Sequence, residues 1–428
     1  MTAHPAPLTL SWHDGWRYGL PGFGLAFVAL PLYVLLPHHY ARAYEVPLAT
    51  LGALLLGARL LDAVIDPLLG RWSDRLYARS LAAVLGWAAL AAAAVALGFT
   101  LLFFPPVRAL PQLLAWAGLW LVVTYAGYSL LAILHQAWGA MLGGDELFRS
   151  RVVAWREGLG LAGVLVASAL PVLAGLGATS ATLAAMLAWG LWSWRQAPRP
   201  AAAAGPVHDA HHSPGWAALW QPLKRPRFQA LLLVFLVNGI ASAIPATLIL
   251  FFVQDRLQAP EALQPVFLGS YFLCAALAIP LWLRGVRRWG LAPTWLAGML
   301  LAIAVFVAAA TLGPGDAPLF VLVCALSGAA LGTDLVLPGA LLAGAIAQQG
   351  EQGRAEGSYF GWWNFVTKLN LALSAGIALP VLGWLGYTPG AQDEAALRTL
   401  SLAYCVLPCL LKGLAAALLY ALFIRKPV

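Results

Sequence analysis

The sequence predicts an all-α membrane protein of twelve transmembrane helices, arranged as two six-helix lobes with both termini in the cytoplasm. Composition is the first reason: 61% of the 428 residues are hydrophobic and 10% are charged, against about 25% charged in an ordinary soluble domain. The mean hydropathy of +0.80 agrees. The second reason is the recurrence of long apolar stretches, and the third is the confinement of most basic residues to alternate loops.

Twelve apolar stretches reach the roughly 20 residues that a helix needs to cross a bilayer. They lie at about 16–37, 47–70, 80–104, 111–139, 152–177, 178–196, 228–254, 261–283, 291–313, 317–347, 357–386 and 398–424. A polar stretch rich in Pro, Ala, Gly and His separates the first six from the second six, and this composition is typical of a linker. The predicted domains are therefore lobes 1–196 and 228–428, joined by a cytoplasmic linker 197–227.

The orientation follows from the basic residues. If both termini are cytoplasmic, the outside loops hold only Arg42, Arg108, Arg256 and Arg398, while most other basic residues fall inside. Such an inside excess of Lys and Arg is the rule for membrane proteins, and it also accounts for the net charge of +8. Arg outnumbers Lys, and Ala and Leu are abundant, which suggests a GC-rich bacterial genome. We therefore expect a multi-pass protein of a bacterial inner (plasma) membrane.

Two six-helix halves joined by a basic linker are typical of a secondary transporter. A primary pump needs a nucleotide site, and the sequence has no G-x-x-x-x-G-K-[ST] loop. We therefore predict a transporter rather than an enzyme, with a small-molecule solute and membrane lipid as partners and no nucleic acid. We expect a monomer with no metal and no cofactor beyond a coupling proton or sodium ion.

Three charges stand inside the second span. Arg59, Asp62 and Asp66 follow one another at spacings of three and four, which places them on one helix face. Each charge costs roughly 2.5–3.5 kcal/mol on insertion scales, so this face points into the bundle. Two carboxylates one turn apart share a proton or bind a cation between them. The alternative for Asp62 is a structural ion pair with Arg59.

The span 2 segment ARLLDAVIDPLLG, residues 58–70, closely resembles the motif R-x-x-D-A-x-x-D-P-x-x-G of the glycoside–pentoside–hexuronide:cation symporters, the melibiose-permease-like family. The resemblance implies the major facilitator fold and a cation site at Asp62 and Asp66. Ile65 replaces an Asn that supplies a neutral oxygen to sodium in the melibiose permease, so a coupling proton is favoured over sodium. The following GRWSDR resembles the superfamily's G-x-x-x-D-R loop motif, which implies a conformational role for Gly70, Asp74 and Arg75.

Residues 145–171 and 350–368 resemble the family's span 5 and span 11 regions. The first resemblance implies that Arg156 contacts the solute; the alternative is an ion pair with Glu157 or Glu146. The second implies that Lys368 lies near the cation site. A lysine inside a span needs a carboxylate counter-charge, so we predict that Lys368 pairs with Asp62 and Asp66.

The remaining solute-binding candidates are polar or aromatic side chains within the spans. Arg59 is one of them, and the others are His135, Gln136, Trp138, Asp334, Trp363 and Asn364. For His135 a hydrogen-bonded core position is an equal alternative, and for Trp138 and Trp363 the alternative is packing or interfacial placement. Asp334 is a second protonatable group or the cap of a helix break near Pro338.

The first and fourth spans contain no internal acid, whereas sugar-binding members like the melibiose permease use an aspartate in each. The wider family also includes a lysophosphatidylcholine symporter. We therefore predict cation-coupled symport of a sugar or glycoside by alternating access, with transport of a lysolipid or another amphiphile as the alternative.

Overall fold

The computed structural model describes residues 10–200, 219–388, 390 and 392–425, and the long regular elements in these ranges are all helices. They are α1 (Trp12–Ala43), α2 (Leu48–Arg79), α3 (Leu81–Phe103), α4 (Leu110–Met141), α5 (Glu146–Trp194), α6 (Pro226–Arg256), α7 (Glu261–Trp289), α8 (Leu291–Ala309), α9 (Ala317–Gln348), α10 (Glu356–Trp384) and α11 (Glu394–Arg425).

The helices fall into two compact units. Unit 1 comprises Met1–Pro222 and Ala343–Phe365, and unit 2 comprises Leu223–Leu342 and Val366–Val428. Helices α1 to α5 belong to unit 1 together with the end of α9 and the start of α10, and the other helical segments belong to unit 2. The two predicted six-span lobes remain a prediction. Part of the predicted linker, residues 201–218, lies outside the described residues.

Helix α5 holds two of the predicted spans. Its 49 residues are interrupted by one residue with non-helical backbone angles, Gly175, at φ 80° and ψ 174°. A straight helix of this length would measure about 73 Å, more than twice the roughly 30 Å of hydrocarbon that a bilayer offers. The positive φ that glycine tolerates therefore divides α5 into two pieces, each of spanning length.

The helices are built for an apolar solvent. Nine of those in the described ranges are long and apolar enough to cross a membrane. Many of their large apolar side chains face outward; Val172, Leu173 and Trp384, for example, are 84%, 81% and 86% exposed. Contiguous exposed apolar surface of this kind is expected where helices contact lipid rather than water. The chain is therefore a multi-pass membrane protein.

Small residues let the helices of unit 1 approach closely. A side chain added at Gly22 of α1 would lie 2.5 Å from the carbonyl oxygen of Arg156 on α5, and one added at Gly163 of α5 would lie 2.3 Å from that of Phe23. Such contacts exclude any larger residue and are typical of helix pairs in membranes. These contacts fix the position of Arg156 along the axis of α1.

Unit 2 has its own core. The rings of Phe252, Phe267, Phe320 and Tyr404 contact one another, with the Phe252 and Tyr404 rings stacked at a centroid distance of 4.2 Å. All four side chains are buried. A polar cluster lies in the same unit and is described below.

Candidate functional site

The two carboxylates of α2 are buried within unit 1. Asp62 is 3% exposed and Asp66 is fully buried. The hydroxyl Oγ of Ser129 on α4 donates a hydrogen bond to Oδ1 of Asp62 at 2.9 Å. A hydrogen bond to a charged acceptor is among the stronger ones in proteins, so α4 supports the carboxylate that the spacing in span 2 pointed to.

Ser129 is absent from the candidates that the sequence suggested. It stands six residues before His135, in the same span. Serine is common at helix contacts in membranes, so its presence alone did not mark it. The one signal in the sequence was its position, since Ser129 lies in span 4 together with the polar pair His135 and Gln136.

The guanidinium of Arg59 lies over an aromatic ring of α1. Its Cζ is 4.4 Å from the centroid of the Tyr33 ring, and that ring is 6.3 Å from the ring of Tyr125 on α4. A cation over a ring face within about 6 Å is attracted by the ring quadrupole. Together with Asp62 and Ser129, these contacts bring α1, α2 and α4 together around the charged face of α2.

The start of α10 packs against the end of α2 without side chains between the backbones. A side chain added at Gly361 would lie 2.6 Å from the carbonyl oxygen of Asp66, and one added at Gly70 would lie 2.3 Å from that of Gly357. Real side chains do not occupy such positions without a shift of the neighbouring backbone. The Gly70 of the predicted loop motif is therefore required by close helix approach.

The aspartate of the loop motif caps the first turn of α10. Oδ1 of Asp74 accepts a hydrogen bond from the backbone amide of Gly357 at 2.7 Å, and Oδ2 accepts from the amide of Ser358 at 3.0 Å and from its hydroxyl. The first amides of a helix have no partner inside the helix and carry a partial positive charge. Asp74, on α2, accepts hydrogen bonds from two of these amides. Arg75 of the same motif is exposed.

Two acids at this end of α10 have raised pKa values. Asp74 follows the predicted span 47–70, and Glu356 precedes the predicted span 357–386. Burial raises the pKa of Asp74 to about 8, opposed by the hydrogen bonds from Ser358 and reinforced by the charge of Glu356. Burial also raises the pKa of Glu356 to about 7, although its carboxylate accepts a hydrogen bond from the amide of Gly353. Both groups take up protons near neutral pH.

His135 of α4 and Tyr18 of α1 bond reciprocally. The Tyr18 hydroxyl donates to the carbonyl oxygen of His135 at 3.1 Å, and Nε2 of His135 lies 2.7 Å from the carbonyl oxygen of Tyr18. Both residues are fully buried, with ring centroids 4.5 Å apart. This geometry is typical of a histidine that joins two helices, which was one of the two alternatives for this residue.

Trp138 is also a packing residue in this structure. It is 1% exposed, its indole Nε1 donates to the carbonyl oxygen of Pro198 at 2.8 Å, and its ring meets that of Trp194 edge-on. Trp363 is likewise buried, at 7% exposure, and Asn364 is partly exposed. The solute-binding roles of these three residues stay predictions.

Arg156 and Gln136 are the remaining candidates of unit 1. Nε and Nη2 of Arg156 both donate to Oε1 of Glu157, at 2.9 and 2.6 Å, which corresponds to the ion-pair alternative for this arginine. Among the described residues, the buried oxygen Oε1 of Gln136 has no hydrogen-bond donor. A buried acceptor of this kind costs free energy, and the solute-binding role of Gln136 stays a prediction.

The polar cluster of unit 2 surrounds Asp334 of α9. Nζ of Lys412 on α11 lies 2.8 Å from Oδ2 of Asp334, and Nε1 of Trp295 on α8 donates to Oδ1 at 2.7 Å. Asp334 was a candidate from its sequence context, but Lys412 was not, because it stands in the apolar run LPCLLKGLAAALL. A lysine inside a span was the available signal. Lys368, on the part of α10 that belongs to unit 2, is partly buried.

Residues 17–426 match the family described as MFS/sugar transport protein. The chain belongs to this family. It is therefore a transporter of the major facilitator superfamily and not an enzyme, and the predicted resemblance to the glycoside–cation symporters of this superfamily is confirmed. The narrower melibiose-permease-like assignment stays a prediction.

One curated relative of this transporter is the putative glycoside/cation symporter YagG of Escherichia coli, 28% identical over 172 residues. That alignment spans 39% of the chain and 37% of the relative, so it covers well under half of either protein.

Among solved structures, the fucose:proton symporter FucP of E. coli aligns with a TM-score of 0.64 at 17% identity, covering 93% of this chain and 98% of that one. A proton:xylose symporter, XylE, aligns with a TM-score of 0.65 at 12% identity, covering 97% and 96%. A bacterial homologue of the iron transporter ferroportin aligns with a TM-score of 0.66 at 17% identity, covering 96% and 100%. At these identities the similarity shows the fold alone.

Proposed function

We propose that the protein is a cation-coupled symporter of a sugar or glycoside in a bacterial inner membrane, with twelve spans, both termini in the cytoplasm and two lobes that alternate access. The observation that carries the proposal is the buried carboxylate pair of α2. Ionisable residues inside a membrane helix are costly and usually mark an ion or substrate pathway, so two acids one turn apart are suited to binding a cation. Membership of a sugar-transport family and the partial match to a glycoside/cation symporter support the solute class.

The proposed cation site consists of Asp62 and Asp66, with the Ser129 hydroxyl beside Asp62. A proton needs only a carboxylate, and this remains the proposed coupling ion. Sodium prefers several oxygen ligands, and Ser129 offers a neutral oxygen that Ile65 does not. Sodium is therefore the alternative coupling ion, and the experiment must distinguish it from a proton.

Lys368 is the proposed counter-charge of the two aspartates when the cation is absent. The proposal rests on the resemblance of residues 350–368 to the family's span 11 region and on the cost of a lysine inside a span without a counter-charge. Loading of the carboxylates would release Lys368, and this change in pairing would alter the relative stability of the transport states. A few kcal/mol of differential binding is enough for such a shift.

The proposed solute contacts are Arg59, Gln136 and Arg156, with the rings of Tyr33 and Tyr125 as apolar surfaces for a sugar face. Arg59 is held over the Tyr33 ring, and Gln136 presents its buried oxygen. Arg156 is oriented by Glu157 and by the Tyr18 hydroxyl, and we propose that it also donates to hydroxyl or carboxylate oxygens of the solute. The absence of acids from predicted spans 1 and 4 favours a less hydroxylated solute, and keeps an amphiphile as the second candidate.

The test is uptake by purified protein in proteoliposomes. The probes are radiolabelled methyl β-D-glucoside, methyl β-D-galactoside and methyl β-D-glucuronide, each driven by an imposed pH gradient or by a sodium gradient. We expect accumulation of at least one glycoside with the pH gradient. Accumulation with the sodium gradient alone would assign sodium as the coupling ion.

The decisive variant is Asp66→Asn, with the exposed Glu261→Gln as the matched carboxylate-to-amide control. We expect Asp66→Asn to abolish uphill accumulation while equilibrium exchange persists, and the control to behave as wild type. Full concentrative uptake by Asp66→Asn would contradict the proposal. Translocation of a fluorescent lysophosphatidylcholine, with no uptake of any glycoside, would support the amphiphile instead.

A further inference from the structure

The polar cluster of unit 2 joins four helices that are far apart in sequence. Lys412 of α11 contacts Asn238 and Ser242 of α6 and Asp334 of α9, over separations of 174, 170 and 78 residues. Trp295 of α8 completes the cluster through Asp334. The cluster is separate from the α2 carboxylates and plays no part in the function proposed above.

Every N–H of the lysine is used inside the cluster. An ammonium group has three donors, and Nζ of Lys412 lies 2.7 Å from Oδ1 of Asn238, 2.8 Å from Oδ2 of Asp334 and 3.2 Å from Oγ of Ser242. The three acceptors come from two helices. Lys412 therefore has no donor left to offer a solute in this conformation.

The carboxylate is also held from both sides. Oδ1 of Asp334 accepts from the indole of Trp295 at 2.7 Å, and Oδ2 accepts from Lys412 and from the hydroxyl of Ser242, the latter at 3.3 Å. The side chains of Lys412 and Asp334 are 9% and 14% exposed. The two charges cancel within a largely buried and internally hydrogen-bonded group.

We infer that Lys412 is the fixed counter-ion of Asp334, and that the pair is a positioning element which holds α6, α8, α9 and α11 of unit 2 together. Each residue acts through the other. Removing one charge leaves its partner buried and uncompensated, which is strongly destabilising, whereas removing both at once is tolerated when the shapes are kept. A cation-coupling or solute-binding role for Asp334 predicts a different result. In that case a second substitution at Lys412 would not restore what is lost when the charge of Asp334 is removed.

The test is a double-mutant cycle of Asp334→Asn, Lys412→Gln and the double variant, measured by thermal unfolding and gel filtration of detergent-purified protein. We expect each single variant to lose most of its monodisperse protein or to unfold at a clearly lower temperature. We expect the double variant to recover most of the wild-type midpoint. The exposed pair of the same unit, Glu394 and Arg398, provides the control: Arg398→Gln should change little because exposed pairs contribute little, and Glu394 is kept because it also pairs with Arg256.

The exchanged pair Asp334→Lys with Lys412→Asp is a second test of compensation. If losses are additive in the neutral double variant and the exchanged pair also fails to restore folded protein, compensation does not occur and the proposal is wrong. This readout needs no solute, so it stands whether or not glycoside transport is found.

A second readout separates positioning from transport chemistry. In proteoliposomes where the wild type accumulates methyl β-D-glucoside, the folded double variant should accumulate the same probe to within about twofold. A folded double variant without concentrative uptake would show that Asp334 handles the cation or the solute, and would overturn the positioning role.

Discussion

The Ser129 hydroxyl donates to the Asp62 carboxylate at 2.9 Å, which joins α4 to the charged face of α2. This bond gives the cleanest distinction between the two coupling ions. A hydroxyl donor stabilises the ionised carboxylate against its protonated form, and the same oxygen is able to bind a sodium ion.

Ser129→Ala should therefore act in opposite directions for the two ions. If a proton is the coupling ion, loss of the donor strengthens proton binding, and half-maximal uptake moves to a higher pH. If sodium is the coupling ion, the half-saturating sodium concentration rises. A hydrogen bond to a charged group contributes about 1.5–3 kcal/mol, so we expect a shift of roughly tenfold or more. Ser168→Ala is the control, because Ser168 is exposed and bonds only within its own helix; an unchanged Ser129→Ala protein would exclude Ser129 from the site.

The close contact of Gly361 with Asp66 predicts a strong effect of a single methyl group. Gly361→Ala places a carbon 2.6 Å from the Asp66 carbonyl oxygen, so the two backbones must separate, at roughly 1–3 kcal/mol for overpacking of this kind. We expect a lower unfolding temperature and reduced uptake. Gly376→Ala is the matched control on the same helix, since nothing lies within 4 Å of its added carbon. Equal effects of the two substitutions would contradict the packing described for α2 and α10.

The cation–π contact between Arg59 and Tyr33 predicts a graded series at one position. Tyr33→Phe keeps the ring under the guanidinium, so the concentration for half-maximal glycoside uptake should stay close to that of wild type. Tyr33→Leu removes the ring and about 0.5–2 kcal/mol of attraction, and it should raise that concentration several-fold with folding preserved. If both variants bind glycoside equally well, the ring does not hold Arg59 for the solute.

The acids at the start of α10 predict a pH dependence of stability. Burial raises the pKa of Asp74 to about 8 and that of Glu356 to about 7, well above their unfolded values near 4. Between about pH 4 and pH 8 the folded protein therefore binds more protons than the unfolded chain, so stability falls as pH rises through this range. Thermal unfolding midpoints measured across the range should decrease steadily.

Asp74→Asn and Glu356→Gln should each flatten this decrease, because each removes one of the groups that takes up a proton on folding. Asp74→Asn should also lower the midpoint at every pH, because its amide cannot accept all the donors of Gly357 and Ser358. Glu394→Gln, at an exposed position, serves as the control and should leave the slope as it is. A slope unaffected by Asp74→Asn would show that Asp74 stays ionised in the folded protein.

The sequence predicted the parts of the site that depend on spacing along one helix. Charges three and four residues apart in an apolar run share one helix face, so spacing alone predicted the burial of Asp62 and Asp66, although Arg59 is exposed. Asp74 came instead from the resemblance of GRWSDR to the superfamily's loop motif. The donors that bond to Asp74 could not be predicted, because Gly357 and Ser358 lie 283 and 284 residues away and nothing in the local pattern indicates a contact at that distance.

The same limit explains the residues that were missed. Ser129 and Lys412 become notable only through Asp62 and Asp334, their partners on other helices. The fifth and sixth spans illustrate a different limit. The apolar stretch there is long enough for two spans, so two were predicted. The residue that divides them is Gly175, through its backbone angles, and the apolar pattern does not indicate that position.

The cap that Asp74 provides to α10 also bears on how the protein is made. Asp74 leaves the ribosome 283 residues before Gly357, whose amide donates to it, so α2 inserts while its partner has yet to be synthesised. The contact therefore forms only after the start of α10 has been translated. Chain termination or a missense error late in the sequence thus acts on a helix that was inserted near the beginning of biogenesis.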